Sequence, residues 1–151
     1  MVQCWSPGVF WKALIRYGLA SVFLLSGVGK LVDPAGGVGL VTLVSEAFGV
    51  VGFVYGKQVV YLVAAVEMFI VLLLLIEPYA RAGLIMFCGL MALFTFGLTI
   101  LAISGIDVPD CGCFGPFIPG GSLKLALLRN IAILLFSCCG YVMLYLPRRV
   151  M

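Results

Sequence analysis

Two cysteines separated by a single glycine are the residues of this chain best suited to chemistry. They stand in the stretch Asp107-Val108-Pro109-Asp110-Cys111-Gly112-Cys113-Phe114-Gly115-Pro116. A disulfide needs Cα atoms roughly 4.4–6.8 Å apart. A bent three-residue segment meets that separation, and Gly112 tolerates backbone angles that other residues avoid. So small a ring is strained, and strained, exposed disulfides are the labile kind that exchange. A purely structural bond across one residue would close almost no chain and would stabilise little. A zinc or iron–sulfur site would need about four ligands. The stretch offers two cysteines, and the chain contains no histidine. The pattern points to a redox-active dithiol and away from a metal centre.

Charged residues inside apolar runs are the second set. Glu67 lies within such a run, and an acid inside a membrane span marks either function or a buried pair. Counting about 1.5 Å per residue from position 59 places Glu67 about 12 Å below the outer membrane surface, and Arg129, counted from Leu123, about 9 Å below it. The matching depths predict a Glu67–Arg129 ion pair. Lys30 reaches the same zone, and Asn130 adjoins Arg129. One outer pocket is therefore expected, with Cys111, Cys113, Glu67 and Arg129 as the reacting set and Lys30, Asp110 and Asn130 in support. The plainer reading is that Glu67 and Arg129 only lock two helices together. Cys88, Cys138 and Cys139 fall near the other ends of their spans, where thiols usually just pack, and neither they nor Cys4 is assigned a role. Tyr17, Phe23, Phe53, Tyr55, Tyr61, Phe114 and Phe117 fit an interface belt. A quinone slot lined by some of them is the other reading.

The elements that must hold these residues are set by composition. Of 151 residues, 64% are apolar and 10% charged, against about 25% charged in a soluble domain. A chain this size cannot hide so much apolar surface in one core, so the lipid bilayer must be its solvent. A span needs about 20 apolar residues, and four stretches qualify: 13–32, 58–76, 82–104 and 123–146. Each should be helical, because lipid leaves no backbone group to be paired by water. The expected fold is all-α: an integral membrane bundle of four transmembrane helices forming a single domain over 1–151. Lys12 and Arg16 precede the first run, and no small-x-small cleavage pattern follows it, so it is read as a retained span. The segment 38–56 is expected to be a short amphipathic or re-entrant helix, because Leu40, Leu43, Val44, Ala47 and Phe48 share one helical face; a fifth span is the other reading.

Charge distribution sets the expected orientation. With four spans, Lys12, Arg16, Arg81, Arg148 and Arg149 share one side, and Lys57 and Lys124 share the other. This bias places both termini in the cytoplasm and the Cys-Gly-Cys segment outside it, on the oxidising side in a bacterium. The nine Lys/Arg are scattered, which argues against nucleic acid as a partner.

The run Arg16-x-Gly18, with Phe23-Leu24-Leu25-Ser26-Gly27-x-x-Lys30-Leu31-x-Asp33-Pro34, resembles the first helix of DoxX-like membrane proteins. Glu67, the stretch Asp110-Cys111-Gly112-Cys113-Phe114-Gly115-Pro116 and then Arg129-Asn130 resemble the MauE branch, named for methylamine utilisation. The likeness covers about residues 13–146, and Cys-Gly-Cys-Phe-Gly is its most specific part. The resemblance implies a four-helix protein of the bacterial inner membrane that aids disulfide formation or maturation of an extracytoplasmic protein. It implies a thioredoxin-like partner on that side and a link to quinone chemistry. Cys138-Cys139 lies outside the resemblance. The expected function is thus a membrane thiol–disulfide oxidoreductase exchanging through Cys111 and Cys113, with a membrane quinone as the electron carrier. The alternatives are a non-catalytic assembly or partner-binding subunit and, third, a small solute transporter.

Overall fold

The computed structural model of the chain describes residues 7–49, 55–106 and 122–145. Helix α1 spans Pro7–Val32, α2 Ala35–Ala47, α3 Gly56–Leu75, α4 Ala80–Ile103 and α5 Leu123–Tyr145, and a 3-10 turn over Glu77–Tyr79 precedes α4. Among the described residues there are no strands. Four of the helices are long and apolar enough to cross a membrane: Trp11–Val32, Gly56–Leu75, Glu77–Ile103 and Leu123–Val142. They coincide with the four expected spans to within a few residues at each end.

Proline and glycine fix the helix ends. After α1, the Asp33 carboxylate accepts the Ala35 backbone N–H at 2.9 Å, and Pro34 starts α2 at its own preferred φ of −78°. At the end of α4, Gly105 takes a φ of 68°. This left-handed turn lets the Ile106 N–H reach back to the Leu101 carbonyl at 3.2 Å and the Gly105 N–H to Ala102 at 3.4 Å, which satisfies carbonyls the helix would otherwise leave open.

The long helices form an antiparallel ring in which α1 packs on α3, α3 on α4, α4 on α5, and α5 closes back on α1. At its centre Phe23 stacks on Phe87, centroids 4.1 Å apart, within a cluster that includes Leu19, Ile70, Leu84 and Met91. The outward faces are equally apolar: Leu62, Phe69, Leu93, Phe96, Leu128 and Leu135 are all more than half exposed. A helix bundle apolar inside and out gains nothing from hiding oil from oil. Close packing and polar contacts must hold it together.

Two such contacts mark one end. Arg16 donates from Nε to the Leu74 carbonyl and from Nη2 to the Leu75 carbonyl, both at 3.0 Å. Its fork covers the negative C-terminal end of α3 and sets the register of α1 on α3. At the same end Arg81 donates from Nε and Nη2 to the Tyr141 hydroxyl, each at 3.3 Å, tying α4 to α5.

The expected short helix between the first two spans is present, with different bounds. It runs 35–47 and not 38–56, because Asp33-Pro34 starts it earlier and Gly49, at a φ of 78°, follows its end. Its length, about 20 Å at 1.5 Å per residue, is well short of a span. Leu40, Leu43 and Val44 do share a face, packed on Leu98, Leu101, Leu123 and Ala126. Ala47 and Phe48 do not belong to that face and are exposed. Helix α2 is thus a shorter apolar helix laid over α3 and α4, and Gly56 opens α3.

Close approach at Gly83 offers a test of this packing. A Cβ there would lie 3.0 Å from Leu73 Cβ and 3.0 Å from the Leu74 backbone nitrogen, whereas one at Gly89 would meet nothing within 4 Å. Gly83→Ala should therefore cost about 1–3 kcal/mol in reversible unfolding from mixed micelles. Gly89→Ala should be neutral or stabilising by up to about 1 kcal/mol. Equal effects would refute the tight α3–α4 seam.

Candidate functional site

Glu67 is fully buried on α3 and faces α1. Its Oε1 lies 2.7 Å from Lys30 Nζ and accepts the Ser26 hydroxyl at 3.1 Å. Lys30 Nζ also donates to Ser26 Oγ at 2.6 Å. The three side chains close a triangle, and helix geometry explains it. Side chains on an α-helix lean toward its N-terminus, so Lys30 reaches back one turn over Ser26 and its ammonium arrives at the depth of Glu67. Gly27 makes room: a Cβ there would lie 2.9 Å from Met68 Cε and 3.5 Å from Glu67 Oε2. The Phe94 ring of α4 closes the cluster, its centroid 5.4 Å from Lys30 Nζ, within cation–π range.

Desolvating two charges costs several kcal/mol each, and only close pairing with further hydrogen bonds offsets that cost. Lys30 is 5% and Glu67 0% exposed, and Ser26 supplies the further bonds. The second carboxylate oxygen is different. Glu67 Oε2 is buried and has no hydrogen-bond partner among the described residues. Glu67 and Asn130, itself 3% exposed, line one small cavity with Val22, Phe23, Ser26, Met91 and Phe94. Its volume of about 10 Å³ is enough for about one water. The site is therefore a carboxylate held by one oxygen, with the other able to accept a hydrogen bond or a proton. Among the described residues no group of three or more His, Cys, Asp or Glu could hold a metal ion.

Of the expected site residues, the structure brings Lys30, Glu67 and Asn130 together. The expected Glu67–Arg129 pair is not what forms: Glu67 takes Lys30 instead. Arg129 is half-buried and does not line the cavity. The reason is the ring order. Helix α3 packs on α1 and α4, and α5 stands diagonally across from it. Successive residues on a helix are also about 100° apart, so it is Asn130 that turns to the centre. Asp110, Cys111 and Cys113 lie outside the described residues. Sequence reasoning missed Ser26, although its spacing of four from Lys30 was visible, and Phe94, which nothing local distinguishes from lipid-facing aromatics.

Four membrane-crossing helices around a buried lysine–serine–glutamate triangle define a small multi-pass membrane protein with a polar centre. The sequence model of the family described as methylamine utilisation protein MauE matches residues 9–145. The chain belongs to that family. No curated protein and no solved structure matches it.

The triangle has a measurable signature. Lys30→Met or Glu67→Leu alone leaves a buried charge unanswered and should cost about 3–5 kcal/mol, while the double variant should recover most of that loss. A double-mutant cycle on unfolding in mixed micelles checks this. Costs that simply add would show that the two side chains do not act on one another.

Proposed function

We propose that this chain is a thiol–disulfide component of a bacterial inner membrane, exchanging with an extracytoplasmic thioredoxin-like protein through Cys111 and Cys113. What carries the reading is connectivity: the chain that holds Cys111 and Cys113 joins α4 to α5 at the end of the bundle toward which Lys30 lies. Segment 107–121 connects Ile106, just after α4, to Ser122, just before α5. That is the end of the bundle where Lys30 leaves α1 and Asn130 lies two turns into α5. The family assignment supports it as well, since the matched region includes both cysteines.

In the exchange, a Cys111 or Cys113 thiolate attacks a partner disulfide, or a partner thiolate attacks the Cys111–Cys113 bond, through a mixed disulfide. Arg129 adds positive charge near the base of the segment, which favours a thiolate. Asn130 lines the cavity beside Glu67 and supports the proton acceptor there, and Asp110, next to Cys111 in the chain, is a supporting residue of the segment. Glu67, held by Lys30 and Ser26, presents Oε2 to the cavity as a proton acceptor. When the partner thiolates reduce the Cys111–Cys113 bond, a membrane quinone takes up the electron pair from the resulting dithiol; in the opposite direction a membrane hydroquinone supplies the pair that regenerates it. Both termini are cytoplasmic in this arrangement.

A second reading has its own observation. One oxygen of Glu67 is fixed by two donors, as a static scaffold needs, and the chain would then be an assembly subunit whose cysteines form a permanent clip.

Thiol trapping separates the two. Whole cells are treated with a membrane-impermeant mass tag, with and without reductant. Cys111 and Cys113 should shift between states as the oxidant supply changes, and Cys113→Ser should accumulate a mixed disulfide with a thioredoxin-like protein. Glu67→Gln should slow the shift without changing access to the tag. An unchanging state with no trapped partner would leave the clip standing, and a topology reporter at Gly120 active only in the cytoplasm would remove the exchange reading.

A further inference from the structure

A second pair of thiols lies inside the bundle, on the seam between α4 and α5. Cys88 Sγ and Cys138 Sγ are 3.9 Å apart. The Cys88 thiol lies 3.4 Å from Ser137 Oγ, and the Ser137 hydroxyl in turn donates to the Leu134 carbonyl at 2.8 Å. Ser137 is completely buried, so a small polar side chain holds the seam close at this level. Cys88 is half-buried and Cys138 exposed on the outer surface of the bundle; both are free thiols.

The depth of the pair follows from the helix ends. Cys88 is eight residues into α4, about 12 Å, and Cys138 is seven residues from the end of α5, about 10 Å. The two counts, made on different helices, agree. The Arg81–Tyr141 contact lies nearer the same end, where cationic and tyrosine side chains mark a membrane interface. Cys138 thus faces the hydrocarbon layer, which charged, water-soluble thiol reagents enter poorly. An apolar oxidant reaches it from the bilayer.

We propose that Cys88 and Cys138 form a second dithiol–disulfide centre, set within the membrane and oxidised by a quinone dissolved in the bilayer. In this step two S–H bonds break and one S–S bond forms. Two electrons and two protons pass to the quinone, which leaves as the hydroquinone. The sulfurs need to close by about 2 Å to reach bonding distance. Cys138 acts and its neighbour Cys139 does not, because the next position on α5 is rotated by about 100° away from Cys88. The bond closes a ring that contains the whole of segment 107–121, so oxidation of the pair ties together the two helices on which Cys111 and Cys113 are mounted. The proposal rests on the redox reading above for its acceptor, but its geometry needs neither of those cysteines.

The test uses the full chain with Cys111 and Cys113 both changed to Ser, reduced and reconstituted in phosphatidylcholine nanodiscs. Decylubiquinone is added in one arm and oxidised glutathione in the other. Thiols are then alkylated, counted by intact mass and located by peptide mapping. With the quinone, two thiols per chain should be lost, a peptide joining Cys88 to Cys138 should appear, and one hydroquinone should form per chain. Oxidised glutathione should act at least roughly tenfold more slowly, because its charges keep it out of the hydrocarbon. Cys139→Ser should leave the reaction intact, and Cys138→Ser should abolish it. Thiols that stay alkylatable with quinone, a link through Cys139, or equal rates with both oxidants would each overturn the proposal. Because the loop cysteines are absent, the outcome is independent of whether Cys111 and Cys113 exchange with a partner.

Discussion

Glu67 is fully buried in a part of the bundle that lipid surrounds, and an ionised carboxyl there is unstable unless a cation and hydrogen bonds answer it. Much of the α1–α3 arrangement follows from that need. The cation has to come from a neighbouring helix, and Lys30 can serve only because its side chain runs back one turn to the level of Ser26. Ser26 has to be on the same face, four residues away. The helices have to come close, which Gly27 permits. A Cβ at 27 would meet the Met68 methyl at 2.9 Å and come into contact with the carboxylate at 3.5 Å.

Lipid offers no hydrophobic force between helices, so the bundle is held at two levels by polar contacts and between them by shape. At one end Arg16 covers the last carbonyls of α3. Nearer the other end, the Lys30–Ser26–Glu67 triangle fastens the same two helices. Between them Phe23 and Phe87 fill the centre. With α1 and α3 fixed at both levels, α4 is placed by the backbone contact at Gly83, and α5 by its seam with α4. The cavity beside Glu67 is where α1, α3, α4 and α5 all contribute a side chain. That makes it the natural place for a group that must feel the arrangement of the whole bundle.

The four spans and their ends were legible because they rest on local rules: runs of apolar residues long enough to cross, and Pro or Gly where the backbone must turn. Glu67 stood out for the same reason, as an acid where acids are rare. Its partner was not legible. Counting along helices gives depth and not direction, and Arg129 and Lys30 both lie at a suitable depth. Only the order of helices around the ring decides between them, and nothing local in the residues states that order. The same gap hid Cys88 and Cys138. Both could be assigned to one end of their spans, yet whether two thiols at similar depth touch depends on the rotation of each helix about its axis. The short helix between the first two spans was legible too, from its apolar face, but its start was not: Asp33-Pro34 reads as a break between elements and is also the start of the next one.

Family membership identifies a fold and a shared set of residues, and chemistry has to be argued from the sites themselves. Here the polar centre and the thiol seam lie in different surroundings. Glu67 and Lys30 are buried, and the cavity beside Glu67, to which all four long helices contribute, has room for about one water. Cys138 stands on the outer surface, where access is wide but limited to apolar molecules. The seam is thus open to the bilayer side without passing the polar centre, and the cavity beside Glu67 is lined by none of the seam residues. The two sites share α4: Met91 and Phe94 line the cavity, and Cys88 lies one turn earlier on the same helix. Closure of the Cys88–Cys138 gap by side-chain rotation would leave Phe94 in place over Lys30, whereas closure by a shift of α4 would carry Phe94 with it.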